Sequence, residues 1–353
     1  MVDNDTNRKP NAVVPRKNES GALRRGHPHR LKDLEFSDLY IAEASGRIQI
    51  RGAVDNDGPL MDVPDNAVSD LEDLRFSVMA LGKKTEKREF FIDFDGVRYR
   101  VSKIISHGGI WYTLRKSKSE IPALKDLGGF RPSVMRHLAQ LGLQTFKSSK
   151  GGMILIAGST GQGKTTTACS LLREYLVHFG DVAVTIEDPP EMMMDGEHGT
   201  SGRCFQLVLE EGDTFGSLLV SALRFTPKYI FLGELRKPSD ASQALRAAIS
   251  GHLVITTIHA GSIEEALNSL IKLASADEGG VVFARDQLAS GIAGVIHQSL
   301  QTTSRGKILR AETLFFGKEN GLRTMIRDGN INQLSTAIDL QRRRAEQNKP
   351  LFD

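Results

Sequence analysis

Cysteine is nearly absent: Cys169 and Cys204 are the only two in 353 residues, too few for a disulfide framework or a four-cysteine zinc site. No apolar run approaches the roughly 18 residues that a membrane-spanning helix needs. The opening MVDNDTNRKPN is too polar for the apolar segment of a signal peptide. Charge of one sign is also scarce, with 46 Lys and Arg against 43 Asp and Glu, so there is no broad basic stripe of the kind nucleic-acid binders carry. Aromatics are few, and the single tryptophan, Trp111, sits between Ile110 and Tyr112. Nothing in that pattern interleaves aromatic with basic residues as a stacking platform for bases. A secreted miniprotein, a zinc-finger protein and a membrane-embedded protein are thereby excluded, and a reducing cytoplasm is the expected compartment. What remains is an ordinary globular composition and a length that suits about two domains.

The texture changes along the chain. Residues 1–33 are rich in Asn, Pro, Arg and Gly without apolar periodicity, which predicts a disordered basic N-terminus. Residues 34–115 are expected to form a small α+β domain. Ile48–Arg51, Phe90–Phe94 and Tyr99–Ser102 have the character of antiparallel strands, and Asp95-Gly96 between two of them is a hairpin signal. Val68, Leu71, Leu74 and Val78 recur at helical spacing and predict a helix over Asp65–Leu81. Residues 116–124, polar and closed by Pro122, are expected as a linker. Over 125–335, apolar runs at Met153–Ala157, Val182–Ile186, Tyr229–Leu232 and Leu253–Ile258 alternate with helices. Runs apolar throughout are what a parallel sheet covered on both faces requires, so this part is α/β and doubly wound. Residues 336–353, with Arg342-Arg343-Arg344, read as a charged C-terminal tail. The basic ends are solubilising on the plainer reading; on the sharper one they touch an anionic membrane surface or nucleic acid.

Gly158-Ser159-Thr160-Gly161-Gln162-Gly163-Lys164-Thr165 fits G-x-x-x-x-G-K-[ST] in full, with Thr166 following. Glycines let backbone N–H groups turn inward around phosphate oxygens, Lys164 supplies a positive charge at the β/γ-phosphates, and the Thr165 hydroxyl suits Mg²⁺. An apolar strand leads in. A helix with Ala168, Leu171, Leu172, Tyr175 and Phe179 on one face follows and ends at Gly180. ATP with Mg²⁺ is the expected ligand.

Hydrolysis further needs a group that orients water against the γ-phosphate. Tyr229–Leu232 runs on to Gly233 and Glu234, and Val182–Ile186 to Glu187-Asp188, so carboxylates stand at the carboxyl ends of two strands, where ligands of parallel sheets collect. Glu234 is the candidate base, and Glu187 the candidate for placing metal or water. His259 ends the run Leu253–Ile258; it is placed to sense the γ-phosphate or serves the structure alone.

With these elements in order, residues 125–335 resemble the secretion ATPases of type II secretion, type IV pili and type IV secretion. Ile156–Thr167 is similar to their Walker A loop, Thr185–Glu191 to their Asp box, Gly233–Arg236 to Walker B and Gly251–His259 to their His box; Ala289–Leu300 is similar to the helix beyond it. The resemblance implies a RecA-like P-loop core behind a PAS-like N-terminal domain. It further implies a homohexameric motor at the cytoplasmic, inner-membrane side of a bacterial machine, working with that machine's membrane components. It also implies that Arg98, Arg100 or Arg115 is an arginine finger.

The pattern is not complete. Lys237 follows Arg236 where relatives carry Asp, and Lys228 follows Pro227 where they often do too. The arginine expected before Gly212 is replaced by Leu209-Glu210-Glu211, and a four-cysteine zinc module is missing. The short N-terminal domain and Asp188-Pro189-Pro190 lean towards a conjugation or effector-secretion ATPase. Two alternatives stay open: a nucleic-acid translocase on a RecA-like core, and an ATP-gated scaffold with little turnover.

Overall fold

The computed structural model describes residues 30–33, 36–52, 60–63, 69–117, 120–209, 212–277, 279–303, 306–317 and 321–352. The basic stretch up to residue 29, and Glu210-Glu211, lie outside them. The chain divides into two compact units, residues 1–119 and 120–353. Among the described residues no helix is long and apolar enough to cross a membrane.

Unit 1 is one antiparallel sheet with a helix against it. Its strands are β1 (Phe36–Ala42), β2 (Ile48–Gly52), β3 (Leu60–Asp62), β4 (Glu89–Phe94), β5 (Val97–Ser106) and β6 (Gly109–Lys116), ordered β3-β2-β1-β6-β5-β4. Asp95 and Gly96 both adopt positive φ (50° and 74°) and close the β4–β5 hairpin, with Phe94 opposite Val97; two such residues match the twist of the strands they join. The helix α1 (Leu71–Lys84) lays Leu71, Leu74 and Val78 onto Leu39, Ile41, Val101 and Leu114 of the sheet. It packs so closely that a Cβ on Gly82 would stand 2.6 Å from the Tyr112 ring.

α1 starts later than the periodicity suggests, and Ser69-Asp70 form a turn. Asp70, at the cap position, gives the helix no side-chain cap. Its carboxylate accepts from the Leu31 N–H instead, at 2.8 Å. Leu31–Asp33 therefore form a short 3₁₀ turn with Leu31 buried, and this part of the expected disordered stretch is ordered.

Unit 2 begins with α2 (Pro132–Ser148). There follow β7 (Gly152–Ala157), α3 (Lys164–Phe179), β8 (Asp181–Glu187), β9 (Gly196–His198), β10 (Gly202–Val208), α4 (Phe215–Ala222), β11 (Tyr229–Glu234), α5 (Pro238–Ile249) and β12 (Leu253–Ile258). The unit closes with α6 (Ile263–Ser275), α7 (Gly280–Gly291), β13 (Ile292–Thr303), β14 (Gly306–Phe315), α8 (Gly321–Asp328) and α9 (Ser335–Glu346). The sheet order is β14-β13-β7-β12-β11-β8-β10-β9, and every pairing from β13 to β10 is parallel. Antiparallel β14 and β9 occupy the two edges. Alternate residues of one strand enter different cores: Met153 and Leu155 pack with Leu245, Leu267 and Leu288, while Ile154 and Ile156 pack with Leu138 and Leu172. Both faces are covered, which is why the strand sequences are continuously apolar.

Two expectations fail here. Ala289–Leu300 is not a helix: α7 stops at Gly291, and β13 pairs with β7 from Ile292 onward. Gly291 packs against Ile249 and Gly294 against Phe315, positions where a Cβ would come within 3.2 Å. The residues from 336 on are not a charged tail either. In α9, Ile338, Gln341 and Ala345 turn inward while Arg342 and Arg343 face solvent. The Gln341 amide donates to the Phe315 carbonyl and accepts from the Phe315 N–H, both at 2.9 Å, supplying edge strand β14 with side-chain partners.

Candidate nucleotide site

The carboxyl edge of this sheet collects the chemistry. β7 leads into the loop Gly158–Gly163, and α3 starts at Lys164. Gly158 has φ 154°, and a Cβ on it would lie 2.5 Å from the Gln298 carbonyl oxygen. Gly163, at φ 77°, is the left-handed residue before the helix, a conformation that glycine adopts at least cost. Lys164 is buried, and its Nζ donates to the carbonyls of Gly158 (2.8 Å) and Ser159 (3.1 Å). Burial holds its amine below the ordinary lysine value, with Glu234 and Glu191 pulling the other way. Ser159 and Thr160 are exposed, and Thr165 and Thr166 are half-buried in the first turn of α3, where helix N–H groups lack intrahelical partners.

Two strands away from β7, β11 ends at Glu234. Pairing with β12 slips by one residue between Leu232 and Glu234, and the Gly233 carbonyl accepts from Thr256 Oγ1 at 3.0 Å. Such an irregularity re-aims the side chain that follows it. Glu234 Oε2 receives Arg236 Nε (2.9 Å) and Nη2 (2.7 Å). Neighbouring β8 ends at Glu187, only 3% exposed. Burial pushes its carboxyl up to about 7, against the hydrogen bond from Gln206. His259, exposed, follows β12 between the loop and Glu234. Lys164, Glu234, Glu187 and His259 thus stand at the same edge of one parallel sheet.

Three contributors escaped the motif reading. Gln206 of β10 donates to Glu187 Oε1 (3.0 Å) and the Met192 carbonyl (2.8 Å) and accepts from the Met194 N–H (3.2 Å). Arg236 holds Glu234. Gln298 of β13 donates through Nε2 to the Gln162 carbonyl at 2.6 Å. Gln206 carries no local pattern that marks it. Gln298 lies in Ala289–Leu300, the stretch that the resemblance gives as a helix.

The three candidate arginines belong to unit 1, and each pairs with a carboxylate of that unit. Arg98 binds Asp93 through Nε and Nη2 (2.7 and 2.8 Å), Arg100 binds Glu89 (2.7 Å), and Arg115 binds the buried Asp38 (2.8 Å). The Arg98 hydrogen bond is the main reason that the Asp93 carboxyl lies below its ordinary value. Lys228 donates to Ser149 Oγ at 2.9 Å, beside the amino end of β11 rather than near Glu234.

The family model described as Type II/IV secretion system protein matches residues 34–329. The chain is 32% identical over 308 residues to the uncharacterized protein YggR of Escherichia coli (strain K12), covering 86% of this chain and 88% of that one. It is 27% identical over 329 residues to the type IV pilus ATPase PilU of Pseudomonas aeruginosa, covering 90% and 79%. Among solved structures, that of the pilus retraction motor PilT with bound ADP matches at a TM-score of 0.70 and 26% identity, over 86% of this chain and 85% of that one.

Proposed function

We propose, for a chain that belongs to the Type II/IV secretion system protein family, that the edge built by the Gly158–Thr165 loop, Glu187, Glu234 and His259 is where its ATP is bound and hydrolysed. The protein is an ATPase, a motor of the kind that serves secretion or pilus dynamics. The observation that carries the assignment is the buried Lys164 amine, whose hydrogen bonds go to the loop's own carbonyls. A cation held so is ready to exchange neutral acceptors for phosphate oxygens.

In this reading the loop N–H groups, Lys164 and the first turn of α3 hold the phosphates. Glu234, aimed by Arg236, accepts the proton of the attacking water. His259 meets the γ-phosphate. Arg98, Arg100 or Arg115 gives up its carboxylate partner to reach a nucleotide of its own or a neighbouring subunit. Mg²⁺ fits the donor set. The Thr165 hydroxyl and the Glu187 carboxyl are hard oxygen ligands, and among the described residues no basic side chain bonds to the buried Glu187. The ion would offset phosphate charge, leaving Thr165 and Glu187 to hold and orient it. The same reading makes the ATPase core RecA-like, the N-terminal unit PAS-like and the working assembly a hexamer. The motor then acts at the cytoplasmic face of a bacterial inner membrane, against membrane components of a secretion, conjugation or pilus machine.

The test is steady-state Mg-ATPase activity of the wild type beside Glu234→Gln, with molecular mass measured with and without ATP. Turnover lost in the variant, with a ring retained, supports the motor. A wild type that assembles but hydrolyses no faster than the variant favours an ATP-gated scaffold. Lys228 lends that alternative no support, since it sits at the other end of β11.

A further inference from the structure

Gln298 stands outside the loop motif yet touches the loop where it is softest. Its side chain is 1% exposed. Nε2 donates to the Gln162 carbonyl at 2.6 Å, and two residues on, the Leu300 N–H donates to the Gln162 side-chain Oε1 at 2.5 Å. Among the described residues Gln298 Oε1, which is buried, has no hydrogen-bond partner. Packing alone does not call for an amide here, because Leu or Met would fill a similar volume without an unsatisfied acceptor. The amide is accounted for by what its Nε2 holds.

The peptide group linking Gln162 to Gly163 is planar and trans, so its C=O and N–H point in opposite directions. Drawing the Gln162 carbonyl towards β13 turns the Gly163 N–H away from β13. Without that hold the group could rotate, since Gly163 (φ 77°) accepts either sign of φ with little penalty. Rotation would put an acceptor oxygen where a phosphate needs a donor.

We propose that Gln298 is a positioning residue for the phosphate loop: through the Gln162 carbonyl it fixes the orientation of the Gly163 N–H that meets the nucleotide's phosphates. The inference rests on the reading of Gly158–Thr165 as the phosphate cradle. Gln298 touches no reacting atom; it acts through Gln162.

The full-length protein is compared as wild type, Gln298→Leu, Gln298→Glu and Lys164→Ala. The readouts are ADP Kd by calorimetry, KM and kcat for ATP, and the melting temperature without nucleotide. Gln298→Leu is expected to raise ADP Kd and ATP KM by about tenfold, the scale of one lost hydrogen bond. Its kcat should stay within about threefold, and its melting temperature should not fall. Gln298→Glu, close in shape, presents only acceptors to the Gln162 carbonyl once ionised, so measured well above neutral pH it should weaken ADP at least as much. Should Gln298→Leu fail to fold, Gln298→Glu decides alone. Wild-type ADP affinity in a folded Gln298 variant, with only the melting temperature lowered, overturns the proposal. Loss of ADP by Lys164→Ala in that same case leaves the cradle assignment standing, whereas wild-type affinity in Lys164→Ala overturns the cradle itself.

Discussion

The two sheets of this chain treat charge in opposite ways. In unit 1 the candidate arginines lie along strands β5 and β6, each facing a carboxylate on an adjacent strand: Arg98 with Asp93, Arg100 with Glu89, Arg115 with Asp38. In unit 2 the charges gather at the carboxyl edge of the sheet, and two of them are buried with neutral hydrogen-bond partners. Lys164 donates to carbonyl oxygens, and Glu187 accepts from an amide. A pair neutralised across a sheet is complete without a ligand and contributes little when exposed. A buried charge with only neutral partners is costly to hold and gains when a ligand of opposite sign arrives. That contrast, rather than residue type, separates the nucleotide edge from the arginine strands. It also sets what the arginines must do before any of them can reach a phosphate: leave their carboxylates.

The largest effect should come from the buried cation. Lys164→Ala is expected to weaken nucleotide binding by about a hundredfold, the scale of a charge-assisted contact with phosphate, as read by titration with ADP. Unchanged affinity would dissolve the contrast at its strongest point.

Single Arg98→Ala, Arg100→Ala and Arg115→Ala variants come next. A finger should lower kcat by at least about a hundredfold, while the other two should leave it within about threefold. If none lowers kcat, all three are sheet ion pairs and nothing more. Stability should separate them differently. Arg115→Ala leaves Asp38 buried without its partner and should cost about 1–3 kcal/mol. Arg98→Ala, whose partner Asp93 is exposed, should cost less than about 1 kcal/mol. Denaturant melts measure both.

The sheet and the placement of the proposed site residues at its edge are legible in the sequence where one pattern serves one purpose. Continuous apolar runs marked β7, β8, β11 and β12 because both faces of that sheet are covered, and the glycine-rich loop follows β7 because only such a loop lets the backbone close on phosphate. β13 was not readable. Ile292–Ile296 lies against the centre of the sheet and is buried on both faces, so its periodicity does not differ from that of a buried helix. The resemblance gives Ala289–Leu300, Gln298 included, as a helix, and nothing in this apolar run speaks against it. α9 was hidden by Arg342-Arg343-Arg344, which masked the inward Ile338, Gln341 and Ala345. Gln206 reaches Glu187 from a neighbouring strand 19 positions along the chain, and no local pattern marks it.

Within unit 2, two buried groups should give opposite pH slopes. The folded Glu187 carboxyl titrates near 7 instead of 4.5, so the folded state holds that proton more tightly than the unfolded chain. Its contribution to stability is full below about pH 4.5 and is lost as the pH rises through about 7, on the order of 3 kcal/mol. Glu187→Gln should flatten that part of the melting-temperature profile of the nucleotide-free protein. His137, packed on Phe315 and Phe352, is shifted by burial in the other direction, to about 4 from 6.5. Its contribution is present above about pH 6.5 and lost as the pH falls through about 4. His137→Leu should remove that acid-side loss, a smaller effect because the ring is only partly buried. Profiles with the same sign for both would contradict the account of how burial acts in this unit.

The most direct measurement sets binding against turnover in one variant: ATP affinity and Mg-ATPase rate of Glu234→Gln beside the wild type. In the proposed reading the loop and Lys164 hold the phosphates, and Glu234 acts on water. ATP affinity should therefore stay within about threefold while turnover falls at least about a hundredfold. Turnover that survives the substitution, or affinity that falls together with it, would contradict the division of labour assigned to this edge.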